Sequence, residues 1–215
     1  MNTRRPVHRP VPRAALAHLR RADPVMSALI DRVGPLELTT EPDLWWSLVD
    51  AIVAQQLSVK AAATIAGRVA ALGAAGRPTP EEVMATDDEV LRAAGLSRAK
   101  ARYVKDLATR WLDGSLRHAA IPAMSDDEVI AELTQVKGIG VWTAEMILIF
   151  TLARPDVLPV DDLGVRVAAQ RAYGLAERPG RDELLRLGEP WRPWRTIASR
   201  YLWKSLHNTP PIAPE

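Results

Sequence analysis

Apolar residues return every three or four positions along most of this chain, and cap residues, glycines or prolines mark the breaks between runs. Asp43 predicts the start of a helix over Leu44–Val53, and Ser58 predicts a second that passes through Ala61, Ala62 and Ala63 to Leu72. Gly73, Gly76, Pro78 and Pro80 end it. Short helices are expected over Glu81–Ala85 and Asp87–Ala94, a turn at Gly95-Leu96-Ser97, and a longer helix over Arg98–Leu112. Ser125 or Asp126 opens the next. Leu133, Val136, Ile139, Trp142 and Met146 hold the same spacing across Gly138 and Gly140, so two short helices flank a glycine turn, the second reaching Leu152. After Arg154-Pro155-Asp156 and Leu158-Pro159-Val160, helices are expected over Leu163–Tyr173, Asp182–Gly188 and Trp194–Leu206. Leu36-Glu37-Leu38-Thr39 reads as a short extended piece. The expected class is all-α, with roughly ten to twelve helices joined by short loops.

Composition narrows the chemistry. A chain of 215 residues, 47% hydrophobic and 25% charged, can bury one good core or two small ones. It has no cysteine, which excludes disulfides, cysteine-based metal sites and a thiolate-held iron-sulfur cluster. The N-terminus lacks the apolar stretch of a signal peptide, and the most apolar run, Val141 to Ala153, carries Glu145; a soluble, cytoplasmic protein is expected. The net charge of +2 is too small to imply nucleic acid by itself. Its distribution says more: residues 1 to 22 hold six arginines and no acid, and Arg186, Arg192, Arg195, Arg200 and Lys204 cluster near the C-terminus, where they can meet phosphates. Residues 1–13, with arginines spaced by prolines, read as a flexible basic tail. His8, His18, His118 and His207 show no ligand spacing.

The segment Leu133-Thr-Gln-Val-Lys-Gly-Ile-Gly-Val-Trp-Thr-Ala144 carries the chemistry. Its glycines permit positive φ and close approach, so a tight turn can aim helix N-terminal amides at an anion such as phosphate. Alone, such a turn is common between helices for steric reasons. Followed by Val157-Leu-Pro-Val-Asp-Asp-Leu-Gly-Val165, it resembles the signature of the helix-hairpin-helix DNA glycosylase superfamily, and within it the 3-methyladenine DNA glycosylase II, or alkylation-repair, family. Ala51-Ile-Val-Ala-Gln-Gln-Leu-Ser-Val59 is similar to that family's early helix and loop, and Trp191-Arg-Pro-Trp-Arg195 with Trp203 to its C-terminal helix. The resemblance spans residues 36 to 206.

What the resemblance implies is a two-lobed helical fold with the active site in the cleft between lobes. Residues 44–156 are expected to form the middle lobe with the hairpin, and 1–43 with 157–215 the second. The additional N-terminal α/β domain of the best known member has no counterpart expected here. The Pro-x-Asp pattern puts the catalytic carboxylate at Asp161 and leaves Asp162 to cap the following helix. In the bifunctional branch a lysine stands two residues after the second hairpin glycine; that position is Trp142 here, so water is the expected nucleophile. Trp142, Trp203 and Met146 match base-pocket positions, where aromatic faces attract a cationic base. Gln56, flanked by Gln55 and Leu57, matches the loop that fills the gap left by an extruded base.

Lys137, Gly138, Ile139 and Gly140 are the expected DNA-backbone contacts, and the carbonyls of Thr134, Val136 and Ile139 an optional site for a monovalent cation, Na or K. No organic cofactor is expected; the partner is double-stranded DNA with a damaged base, and the protein a monomer. The function implied is release of alkylated bases such as 3-methyladenine and 7-methylguanine, leaving an abasic site. A noncatalytic DNA-binding module, and a glycosylase for uracil, hypoxanthine or oxidised bases, are the alternatives. Of seven tryptophans, Trp45, Trp111 and Trp194 read as helix-packing core, with Trp46 and Trp191 open to either role.

Overall fold

Local signals explain most of the helix starts. In the computed structural model, which describes residues 6–207, α3 (Leu44–Ala54) begins at Asp43, whose carboxylate accepts the Trp46 amide. Serines or threonines cap α4 (Val59–Ala70), α5 (Pro80–Ala85), α7 (Arg98–Asp113) and α8 (Asp126–Leu133), and capping boxes close on Glu82 in α5 and on Glu128 in α8. Short α6 (Asp88–Ala93) lies between α5 and α7. The sequence expectation of an all-α protein holds: twelve α-helices occur among the described residues, and the only sheet among them has two strands. No described helix is long and apolar enough to cross a membrane.

Contacts divide the chain into two units. One is built on Glu41–Leu152, from α3 to α9 (Val141–Phe150). Its core includes Leu48, Ile52, Leu91, Leu107, Leu133 and Leu148, all buried. Trp45 donates its indole N–H to the Pro78 carbonyl at 2.8 Å and meets Trp111 edge-on, with ring centres 5.3 Å apart, as aromatic quadrupoles prefer. Glu132, buried in α8, accepts three bonds from Arg117 at 2.6–3.0 Å and so ties the loop before α8 to that helix.

The other unit joins Val7–Thr40 to the segment from Ala153 onward. Strand β1 (Val7–Pro10) pairs antiparallel with β2 (Glu37–Thr40), and α1 (Arg13–Ala22) and α2 (Pro24–Val33) lie between them in sequence. A basic tail over residues 1–13 is therefore corrected for its second half: Val7–Pro10 is tied by a ladder and Val11 is buried, while residues 1–5 lie outside those described. Asp23 organises the unit's centre. Its Oδ1 caps α2 through the Val25 and Met26 amides, and its Oδ2 accepts the fully buried Trp191 indole N–H at 2.8 Å and the Tyr173 hydroxyl. Around it pack α10 (Leu163–Tyr173), α11 (Arg181–Gly188) and α12 (Arg195–His207).

Three of the five residues of the C-terminal basic cluster are engaged inside this unit, and Arg186 and Lys204 are exposed. Asp156 holds Arg195 through both carboxylate oxygens, at 2.8 and 3.1 Å, and Arg192 at 2.9 Å. Arg200 is buried, donates to the Thr39 carbonyl at 2.8 Å, and has its pKa pulled down to about 10 by burial.

Candidate active site

The turn between α8 and α9 is shaped by its first glycine. Gly138 has φ of +86°, and a Cβ there would fall 2.3 Å from Cδ2 of Tyr103, so conformation and neighbour both demand glycine. Gly140 uses neither freedom. Its φ of −97° and ψ of 176° suit any residue, and nothing lies within 4 Å of where its Cβ would stand. It is the N-cap of α9 and has no side chain to cap with, so the positive end of that helix lies at the turn. Ile139 buries its side chain and donates its amide to the Val136 carbonyl at 3.0 Å, closing the turn.

Lys137 is exposed, with Nζ 3.3 Å from Asp106 Oδ1, and its own amide donates to Asp106 Oδ2 at 3.1 Å. Burial pushes the Asp106 carboxyl up, and hydrogen bonds from Lys137 and Arg110 outweigh it, leaving the pKa below the ordinary value.

The loop after α3 is fastened to this turn. Lys100 Nζ donates to the carbonyls of Val53 and Gln55 at 2.8 and 2.6 Å, satisfying the C-terminal end of α3. Gln55 Nε2 donates to the Gly138 carbonyl at 2.6 Å. Gln56 sits at φ of 57°, a left-handed conformation uncommon for glutamine, and is exposed; Leu57 is 38% exposed. Of the three loop candidates, Gln55 thus serves the hairpin, and Gln56 and Leu57 form the open tip.

Helices α3 and α9 wall a cavity of about 490 Å³ beside that tip. It brings together Trp142, Met146, Gln55, Gln56 and Leu57 from the sequence candidates, and adds Trp46, Phe150, Glu41, Ser47 and Asp50. Trp142 is 46% exposed at the first turn of α9. Trp46 is buried, with the Arg77 guanidinium 5.1 Å from its ring centre, and Arg77 also pairs with Glu41 at 2.9 Å and Asp43 at 3.3 Å. Asp50 is open to solvent at the cavity, yet the surrounding walls desolvate its carboxylate and raise its pKa; Arg77 opposes this shift and Glu41 adds to it.

Asp161 and Trp203 belong to the other unit, where neighbouring aspartates divide two tasks. Asp162 caps α10, its Oδ1 accepting the Val165 amide and the Trp203 indole N–H, each at 2.7 Å. Trp203 packs over Gly164, whose Cβ would stand 3.0 Å from the indole Cδ1. Asp161 is 61% exposed and accepts from Arg181 Nη1 at 2.9 Å. An exposed pair of this kind holds its carboxylate weakly. Arg181, Ser47 and Asp50 were absent from the sequence candidates. The last two interrupt an apolar helix at spacing three, a signal visible in Leu44–Ala54, whereas nothing local links Arg181 to Asp161. Among the described residues no group of three or more His, Cys, Asp or Glu is arranged to hold a metal ion.

Residues 49–193 match the HhH-GPD superfamily of base excision DNA repair proteins, and the chain belongs to that family. Over 206 residues it is 36% identical to DNA-3-methyladenine glycosylase 1 of Schizosaccharomyces pombe, covering 92% of this chain and 90% of the relative. An alkylbase DNA glycosidase-like protein of the same yeast is 34% identical over 192 residues, or 87% of this chain and 90% of the relative. The structure of Schizosaccharomyces pombe 3-methyladenine DNA glycosylase in complex with abasic DNA matches with a TM-score of 0.81 and 36% identity, covering 90% of this chain and 97% of that one. DNA-3-methyladenine glycosidase from Bacillus halodurans matches with a TM-score of 0.83 and 37% identity, covering 93% and 92%.

Proposed function

We propose that this protein is a monofunctional DNA glycosylase that extrudes an alkylated base of the 3-methyladenine or 7-methylguanine type and hydrolyses its N-glycosidic bond, leaving an abasic site. The observation that carries this reading is the cavity between α3 and α9, walled by Trp46, Trp142, Met146 and Phe150, in a chain whose relatives of matching length are named for 3-methyladenine. Aromatic faces attract a base that alkylation has made cationic. Such a base departs neutral, taking the electron pair of the C–N bond, so it needs no strong acid to help it leave.

Asp161 is the catalytic residue in this proposal. As the bond lengthens, positive charge grows on the sugar, and an ionised carboxylate stabilises it. Water supplies the nucleophile: its oxygen bonds to the anomeric carbon and it gives up a proton, which Asp161 can orient or accept. Trp142 stands where a lysine nucleophile is found in the bifunctional branch, so no covalent enzyme–DNA adduct and no strand cleavage are expected. Borohydride trapping of such an adduct would contradict this.

On the DNA side, Lys137 and the backbone of Gly138, Ile139 and Gly140 are proposed to meet phosphates, and Gln56, with Leu57 beside it, to fill the space the base vacates. Trp203 is proposed as a further aromatic contact. A monovalent cation suits the carbonyls of Thr134, Val136 and Ile139: these are oxygen ligands in one turn, and the Val136 carbonyl keeps a lone pair beyond the one given to Ile139. It would neutralise charge between turn and phosphate. Replacing Na and K by tetramethylammonium at constant ionic strength should then weaken DNA binding, and equal affinity would remove the cation from the account. The test of function is incubation of the full chain with methylated DNA and chromatography of the free bases. Release of 3-methyladenine or 7-methylguanine with intact strands is the expected result; release of uracil or hypoxanthine alone, or of nothing, contradicts it.

A further inference from the structure

One wall of the cavity is polar in a way the aromatic residues do not explain. Ser47, Asp50, Ala51 and Ala54 all line it from α3, at spacings of three and four that place them on one helix face. The two alanines keep that face low. Ser47 is 9% exposed, and its Oγ is buried with no hydrogen-bond partner among the described residues. A buried hydroxyl without a partner is costly, so it marks a place where an incoming group completes the bonding. Asp50, one turn further along, forms no hydrogen bond or ion pair among the described residues, and the second carboxylate of the cavity, Glu41, is committed to Arg77 and to the Asp43 amide. None of the described residues lining the cavity is Lys, Arg or His.

We infer that Ser47 and Asp50 are specificity-determining residues that select cationic purines bearing N–H donors on their edge, with 7-methylguanine the best fit. Asp50 supplies a negative charge and two acceptor oxygens, which match the N1–H and exocyclic amine of guanine as a bidentate pair, while N7-methylation supplies the positive charge. Ser47 accepts from or donates to the same edge. Trp46 and Trp142 hold the ring faces, and Arg77, drawn to Glu41 and Asp43 and placed over Trp46, does not line the cavity, although its charge acts on Asp50 from behind. Asp50 is already partly desolvated, and the attraction of an arriving cation offsets that cost where a neutral ring only adds to it, so the carboxylate favours a charged base over a neutral one of the same shape. A neutral lesion such as ethenoadenine, which has no edge N–H donor, gains nothing from it.

This inference rests on the alkylbase reading above, and one experiment separates the two. Single-turnover excision is measured for the full chain on duplexes carrying one 7-methylguanine, together with affinity for a duplex carrying a tetrahydrofuran abasic analogue, which presents no base. In Asp50→Asn, excision of 7-methylguanine should fall about ten- to hundredfold, the size of a lost charge-assisted hydrogen bond, and in Ser47→Ala about three- to tenfold. Asp50→Glu should retain more activity than Asp50→Asn, because it keeps the charge. Affinity for the abasic analogue should move far less than excision in each, which a merely structural defect would not allow. Wild-type excision with an Asp50→Asn rate within twofold overturns the inference alone. An equal fall in excision and abasic-DNA affinity also overturns it. Absence of 7-methylguanine release by the wild type, along with that of 3-methyladenine, overturns the functional reading and this inference together.

Discussion

Gly138 and Gly140 stand two residues apart in one turn, and substituting each by alanine should produce opposite phenotypes. At Gly138 an alanine must hold φ near +86° and place Cβ 2.3 Å from the Tyr103 ring. The left-handed backbone costs roughly 1–2 kcal/mol, and forcing the ring aside costs roughly 1–3 kcal/mol more. A total of roughly 2–5 kcal/mol corresponds to a fall in melting temperature of about 4–20 °C for a chain of this size. At Gly140 the backbone is extended and the Cβ enters open space, so only the loss of a good N-cap residue, roughly 0.5–1 kcal/mol, is expected. If its smallness serves a phosphate lying against the first amides of α9, Gly140→Ala melts within about 4 °C of wild type yet binds an abasic-analogue duplex roughly tenfold more weakly. Differential scanning fluorimetry and fluorescence anisotropy read the two quantities on the same samples. Wild-type melting of Gly138→Ala would refute the conformational reasoning. Wild-type affinity of Gly140→Ala would show that no phosphate approaches that backbone.

Three further outcomes follow from other parts of the molecule. Arg117's hydrogen bonds hold the Glu132 carboxyl below its usual 4.5 despite the opposing effect of burial, so the stabilisation is present above that pH and lost as pH falls through the lowered value. Glu132→Gln should therefore lose about 1–3 kcal/mol near neutral pH, with the gap to wild type closing in acid, as equilibrium urea unfolding across pH will show; a pH-independent gap contradicts the ion-pair account. Asp23→Ala removes the cap of α2 and strands the Trp191 and Tyr173 donors, and should cost roughly 3–5 kcal/mol in the same assay; a loss below about 1 kcal/mol would mean these groups find other acceptors. Trp203→Ala should lower kcat/KM for cationic bases about tenfold while the protein stays folded by circular dichroism, and an unchanged kcat/KM would return Trp203 to a purely packing role.

Local chemistry made much of the fold legible. Asp43, Ser58, Ser125 and Asp162 were readable as caps because each satisfies an amide only three residues away. The strand Val7–Pro10 was not, since its partner lies some thirty residues on, and Arg9 and Pro10, with Pro6 and Pro12 close by, mimic a tail. For α1 and α2 the signal was present but faint: Asp23-Pro24 is a helix start, and Ala15, Leu19, Met26, Leu29 and Ile30 are the buried positions. The partners of the C-terminal arginines were not legible, because the acid that holds two of them, Asp156, sits 36 and 39 residues earlier. In the hairpin, residue types pointed to the turn, but only coordinates separate a glycine required by φ from one required by space outside the protein. Ser47 and Asp50 sit just before the Ala51–Val59 stretch, one of the motifs that carried the resemblance. Their meaning depends on a cavity completed by α9, which periodicity does not reveal.

The central claim is that Asp161, and not its neighbour, acts on the sugar. Single-turnover release of 7-methylguanine or 3-methyladenine by Asp161→Asn tests it most directly, with abasic-analogue affinity measured on the same preparation. Release should fall by more than about a hundredfold, as for removal of a group that stabilises transition-state charge, while affinity changes only a few-fold. Release near the wild-type rate from a folded, DNA-binding Asp161→Asn protein would contradict the account.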